Sequence, residues 1–255
     1  MRRPCTRPVE VRGRRIGGTA PVICLPLMAA QSPELLLQAQ ELVPFCPDLM
    51  EWRIDSYDHV ENIAACVKTL EALRAIIGEI PLIFTCRIDT EGGVRKISGD
   101  HRLNLIQDAI KSALIDIVDI ELANDSAFIR TAIDAAARHN VKVIGSFHDF
   151  EKTPEESDLL AKLVLAQDLG ADIAKAAVMP KDYRDVLVLL SATLKAREKL
   201  EIPIVTMAMA QTGAVTRIAG GLFGSDITFA AGKKASAPGQ IPIAALRQAM
   251  ELLYA

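Results

Sequence analysis

The chain has 255 residues, half of them apolar, and a net charge of −3 with acids and bases mixed along its length. That balance offers no basic stripe for nucleic acid, and no apolar run approaches the ~20 residues that span a bilayer, so neither nucleic acid nor membrane is an expected partner. A chain of this size buries a large core without disulfides or metals, so the expectation is one α/β domain over 1–255 that acts on a small polar molecule.

The first twenty residues come before the regular pattern. Within them "VEVRGRRI" (9–16) alternates around a turn at Arg12–Gly13, which predicts a β-hairpin. This extension over 1–20 is expected to plug one end of the fold. The basic lead followed by "PVICLPLMAA" has the outline of a signal peptide, but two prolines and the long arginine-rich stretch argue against one. The five cysteines (Cys5, Cys24, Cys46, Cys66, Cys86) are odd in number and lack zinc spacing, so they read as reduced thiols of a cytoplasmic protein with no metal.

Short apolar runs then follow one another: "VICLPL" (22–27), "LMEWRI" (49–54), "LIFTCR" (82–87), "IVDIEL" (117–122), "VKVIGSFH" (141–148), "DIAKAAV" (172–178), "IVTMAM" (204–209) and "DITFA" (226–230). Amphipathic segments separate them, among them 32–42, 59–77, 125–140 and 154–170, several opening on Ser, Asp or Pro. Strand–helix alternation means parallel strands with helical crossovers, and eight units in about 250 residues is the size of a (β/α)8 TIM barrel. An open doubly wound sheet fits less well, because no G-x-G-x-x-G follows the first strand. The hairpin is then expected to close the barrel bottom, and the Ser/Gly/Pro-rich 232–240, before the last helix, reads as a mobile loop.

Side chains two apart on a strand share a face. This places Glu51, Arg53 and Asp55 together; Thr85 with Arg87; Asp119 with Glu121; Ser146 with His148; and Met207 with Met209. These polar phases belong to the lumen, near the strand ends where barrels build active sites. Lys175 sits at the centre of the sixth strand. An amine attacks a carbonyl only when unprotonated, a state that desolvation or nearby cations favour, and Arg53, Arg87 and Arg217 are the candidate cations. Guanidiniums also match a carboxylate on an anionic substrate. His148, beside such an amine, is placed as a proton shuttle, while Met207 and Met209 suit the apolar wall around a small ring.

Taken in order, "VICLPLMA" (22–29), "MEWRID" (50–55), "FTCR" (84–87) with "EGG" (91–93), "GSFHDF" (145–150), "AKAAVMP" (174–180), "TMAMAQTGAVTRIAG" (206–220) and "SAPGQ" (236–240) resemble the type I 3-dehydroquinate dehydratases. The resemblance implies a (β/α)8 enzyme of the shikimate route that uses no metal and no organic cofactor, acts on 3-dehydroquinate and forms homodimers. It also implies Lys175 as the Schiff-base lysine, His148 as general acid and base, and Glu91 as the carboxylate that orients it. By the same resemblance Arg217 grips the substrate carboxylate, while Glu51, Arg53 and Arg87 hold ring hydroxyls. Ser236 and Gln240 lie in its motif for a loop that closes over the ligand. The pattern departs at Pro26, where some relatives place a hydroxyl residue. Two other readings stand beside it: a different Schiff-base aldolase barrel, and a non-catalytic sensor of a shikimate-like acid.

Overall fold

A computed structural model describes residues 3–232 and 239–254 of the chain. Strands β1 (Val9–Val11) and β2 (Arg14–Ile16) pair antiparallel as the alternation predicts. Their turn puts Arg12 (φ 42°) and Gly13 (φ 73°) in the left-handed region, the geometry that matches strand twist in tight hairpins.

Eight parallel strands follow: β3 (Val22–Leu27), β4 (Leu49–Arg53), β5 (Leu82–Thr85), β6 (Ile117–Glu121), β7 (Lys142–Asp149), β8 (Ile173–Val178), β9 (Ile204–Ala208) and β10 (Ile227–Phe229). They run in the order β10-β3-β4-β5-β6-β7-β8-β9. The seam between β9 and β10 is closed partly by side chains. The Ile204 N–H donates to Asp226 Oδ2 (2.8 Å) and the Thr206 N–H to Ser225 Oγ (3.0 Å). These side chains take over the ladder that the short β10 leaves unmade.

Around the barrel lie α1 (Ser32–Leu42), α2 (Ile63–Ile77), α3 (Gly99–Lys111), α4 (Ser126–Arg138), α5 (Glu156–Asp168), α6 (Tyr183–Lys199), the short α7 (Ala214–Ala219) and α8 (Ile243–Tyr254). The segment expected to be helical over 59–77 enters the helix only at Ile63. Asn62 caps it by accepting from the Ala65 N–H, and the residues before it form turns. None of the described helices is long and apolar enough to cross a membrane.

Period-two alternation sorts the strands into two cores. Outward residues such as Leu25, Met50, Trp52, Phe84 and Val118 pack under the helices. Inward residues Cys24, Leu49, Ile83, Ile117, Ile144, Ile173, Val205 and Ile227, one per strand, form an apolar lumen floor. Val9, Val11 and Ile16 of the hairpin join that cluster, so the hairpin closes the barrel bottom. Burying each such side chain is worth roughly 1.5–3 kcal/mol. Above this floor the inward positions turn polar.

Candidate active site

The next inward layers carry Glu51 and Arg53 on β4, Thr85 on β5, Asp119 and Glu121 on β6, Ser146 and His148 on β7, Lys175 on β8, Met207 on β9 and Phe229 on β10. They lie under and around a cavity that opens at the C-terminal ends of the strands. Every site residue expected from the sequence and lying among the described residues lines it: Lys175, His148, Glu91, Glu51, Arg53, Arg87, Arg217, Met207 and Gln240. Ser236 lies outside the described residues, as does most of the expected loop over 232–240. Pro26 reaches the cavity too, so the position that departs from the family pattern is part of its wall.

Lys175 is buried, 4% exposed, and its charge is matched. Nζ donates to Asp119 Oδ2 at 2.8 Å, lies 3.8 Å from Glu51 Oε1, and stands 4.9 Å over the centroid of the Phe229 ring. The charged atoms it meets are thus carboxylates, not the arginines that the sequence suggested. Arg53 and Arg87 are engaged by acids of their own. Arg87 is bidentate on Asp119 (2.8 and 2.9 Å) and also donates to Glu121 Oε1 (2.9 Å) and Ser146 Oγ (2.8 Å). Burial alone raises the Asp119 carboxyl, but Arg87 and Lys175 outweigh it and hold Asp119 well below the usual carboxylate range.

His148 stands on β7, whose partner register sets Ser146 opposite Lys175 and His148 opposite Ala177. The imidazole therefore lies one inward step above the amine. Glu91 comes from the turn after β5, where a 3-10 segment (Asp89–Glu91) is followed by Gly92 and Gly93. One oxygen of Glu91, Oε2, meets His148 Nδ1 at 2.9 Å and accepts from the His148 backbone N–H at 2.9 Å. With Glu91 ionised, Nδ1 carries the ring hydrogen and Nε2 keeps its lone pair. Burial, then Arg87 and Lys175, push His148 well below its usual value, so the ring is neutral near pH 7. Burial lifts Glu91 to about 7.

The "EGG" sequence has a steric reason. Gly92 adopts φ +84°, and a Cβ there would fall 2.4 Å from the Phe150 ring, which stacks beside His148. A Cβ on Gly93 would meet the Arg87 carbonyl at 2.3 Å. Both glycines let the Glu91 turn lie flat against the strand ends.

Arg217, on α7, donates to the Phe229 carbonyl (3.2 Å) and lies 3.8 Å from the Met207 sulfur. Burial draws its guanidinium down to about 10, a penalty that an entering carboxylate would relieve. Arg53 forms a bidentate pair with Asp55 (2.8 Å twice), and Glu51 accepts from Thr85 Oγ1 (2.8 Å). Among the described residues no group of three His, Cys, Asp or Glu is placed to hold a metal ion. Cys24, on the lumen floor, is pushed up by burial and stays a thiol.

Three residues in or behind the site were not singled out from the sequence. Phe229 and Phe150 read as ordinary apolar residues. Arg102 belongs to a helix, and it crosses behind the barrel wall to donate to Glu121 Oε2, the Cys86 carbonyl (3.1 Å) and Asn124 Oδ1 (2.9 Å). Its signal is an arginine on the buried face of an amphipathic helix, which demands an acidic partner.

The profile of type I 3-dehydroquinase matches residues 23–255. The chain is 45% identical over 233 residues to a 3-dehydroquinate dehydratase of Klebsiella pneumoniae, covering 91% of this chain and 93% of that protein. A solved 3-dehydroquinate dehydratase of Geobacillus kaustophilus superposes with a TM-score of 0.96 at 42% identity, covering 99% and 98% of the two chains. A second, the type I enzyme of Clostridium difficile with covalently modified comenic acid, gives 0.95 at 40% identity, with 98% of each chain covered. Matches of this length and identity place the chain in the type I 3-dehydroquinase family.

Proposed function

We propose that this chain is a hydro-lyase that converts 3-dehydroquinate to 3-dehydroshikimate in the shikimate pathway through an imine on Lys175. The observation that carries the reading is a buried amine and a neutral imidazole on neighbouring strands of one anion-ready cavity. A sensor needs no base one step above an amine. The covalently modified comenic acid held by the Clostridium difficile relative supports a covalent route.

In the proposed sequence Arg217 takes the substrate carboxylate, and Glu51, Arg53, Arg87 and Gln240 meet the ring hydroxyls. Ser236 belongs to the same group by its motif. Met207 and Phe229 pack against the carbon skeleton. Asp119 holds Nζ in place through its hydrogen bond; the ammonium passes a proton to solvent as the free amine forms, the amine adds to the C3 ketone, and a proton returns to the C3 oxygen. Loss of the C3 oxygen as water leaves an iminium, an electron sink that acidifies the C2 hydrogens. His148 Nε2 removes a C2 proton, and the C2–H electron pair moves toward the imine nitrogen as an enamine. Glu91 steadies the imidazolium that results. His148 then returns the proton to the C1 hydroxyl, which departs as water while the enamine collapses to the conjugated iminium. Water hydrolyses that iminium, releasing 3-dehydroshikimate and Lys175.

The three carboxylates Asp119, Glu51 and Glu121 and the cations Arg87 and Arg102 leave this network one positive charge short of neutrality without Lys175. An iminium at Nζ restores the balance, which is the electrostatic condition for stabilising it. The test is the ultraviolet absorbance of the product's conjugated enone. Wild-type enzyme given 3-dehydroquinate should develop it and Lys175→Ala should not. Full activity in Lys175→Ala contradicts the proposal.

A further inference from the structure

We propose that Asp55 is a positioning residue that fastens Arg53 and the loop carrying Glu91 to one anchor, so that substrate binding and proton transfer are set by the same carboxylate. The inference rests on the function proposed above and concerns a residue that need not touch the substrate.

Asp55 is fully buried in the 3-10 turn Ile54–Ser56 that ends β4. Its Oδ1 accepts from Arg53 Nε at 2.8 Å and from the Arg87 backbone N–H at 3.3 Å. Its Oδ2 accepts from Arg53 Nη2 at 2.8 Å and from the Val94 backbone N–H at 3.0 Å. Four donors from three chain segments therefore converge on one carboxylate, which is what a buried charge requires. Burial raises this carboxyl, and Arg53 more than offsets that, leaving it below the ordinary range.

The same pair also holds the loop that carries Glu91. Arg53 Nη2 also donates to the Gly92 carbonyl at 3.1 Å. Gly92 and Val94 both follow Glu91 closely, so the Arg53–Asp55 pair holds the turn just beyond Glu91 from two sides. Inside the turn, the N–H groups of Glu91 and Gly93 donate to the Ile88 carbonyl (3.1 and 2.8 Å). The turn is thus a compact unit, and Asp55 links it to β4. Glu91 in turn fixes His148. Lys175 is held by different residues, Asp119 and Glu51. Disturbing Asp55 should therefore impair binding through Arg53 and proton transfer through Glu91–His148, while imine formation on Lys175 continues.

Asp55→Asn tests this, because the amide NH2 cannot accept from Arg53 Nη2 or the Val94 N–H. Val94→Pro is the second variant. It removes one N–H donor beside the Glu91 turn and leaves the Arg53–Asp55 pair in place; the Val94 side chain is 55% exposed. Each is compared with wild type for turnover of 3-dehydroquinate, for near-ultraviolet circular dichroism, and for borohydride trapping of 3-dehydroshikimate on Lys175.

Asp55→Asn should keep the wild-type spectrum and trapping yield, while KM rises and kcat falls by about tenfold or more each. Val94→Pro should lower kcat about threefold or more with KM within about twofold of wild type. Wild-type kcat and KM in Asp55→Asn overturn the proposal, and so does trapping that declines in step with kcat, the mark of general structural loss. If Asp55→Asn does not fold, Val94→Pro decides alone, and an unchanged kcat there overturns the proposal. Absence of turnover in the wild-type control is a different result, because it contradicts the proposed function itself.

Discussion

Lys175 Nζ donates to Asp119 Oδ2 at 2.8 Å, and the same carboxylate is clamped on its other side by both terminal nitrogens of Arg87. A single buried acid therefore sets the position of the proposed nucleophile and ties it to Arg87, which lines the cavity. Replacing it leaves two buried cations short of a partner, a change that costs about 3–5 kcal/mol. Asp119→Asn should lose stability of that order in urea unfolding at pH 7, together with most activity.

The pH dependence of that loss follows from the direction of the shift. The folded-state carboxyl of Asp119 lies well below its unfolded value of about 3.9. Its contribution is fully present above about pH 4 and disappears as pH falls through the folded value. The stability difference between wild type and Asp119→Asn should hold constant from pH 7 to about pH 4 and narrow only in stronger acid. A difference that narrows already near pH 6 contradicts this.

Glu91 and His148 set a second pH dependence. The imidazole is neutral well below pH 6.5, so it remains a base through the neutral range. Glu91 takes up a proton near pH 7 and then loses the charge that steadies the imidazolium. The kcat/KM profile should fall as pH drops through about 7, and Glu91→Gln should flatten that limb at a lower plateau. His148→Ala should lose about 10²–10⁴-fold in kcat and still form the imine.

Phe229 presents its ring face to Lys175 Nζ at 4.9 Å. A cation over an aromatic ring gains about 0.5–2 kcal/mol, in the resting ammonium as in the iminium, so Phe229→Leu should lower stability by at least about that much in urea unfolding at pH 7. Equal stability in the two proteins would contradict a cation–π contribution from the ring.

Stability at the opposite end of the barrel should separate from activity. Ile16 of the hairpin is fully buried against the lumen floor. Ile16→Ala should cost roughly 2–5 kcal/mol in urea unfolding and leave kcat unchanged.

Much of this arrangement was legible beforehand because a strand has a period of two. Once "LMEWRID", "IVDIEL" and "IGSFH" are read as strands, Glu51, Arg53, Asp119, Glu121, Ser146 and His148 fall on one face, and the structure places them there. Lys175 was conspicuous because an apolar strand seldom carries a lysine without a use for it. The pairing of charges was not legible. It depends on the stagger between strands, which sets Thr85 opposite Asp119 and Ser146 opposite Lys175, and on side-chain reach. The amine was accordingly expected among arginines and lies among carboxylates instead. Arg102 was hidden for a related reason, since its partner Glu121 is on another element. Phe229 shares the inward phase of its strand, but nothing in a phenylalanine tells a cation platform from a filler.

The most direct measurement of the central claim is borohydride reduction of the enzyme during turnover of 3-dehydroquinate, read by intact mass and then by peptide mapping. The structure predicts one stable adduct, on Lys175, absent from Lys175→Ala. Dehydration of the substrate with no adduct on Lys175 would contradict it, because the electron sink would then lie elsewhere.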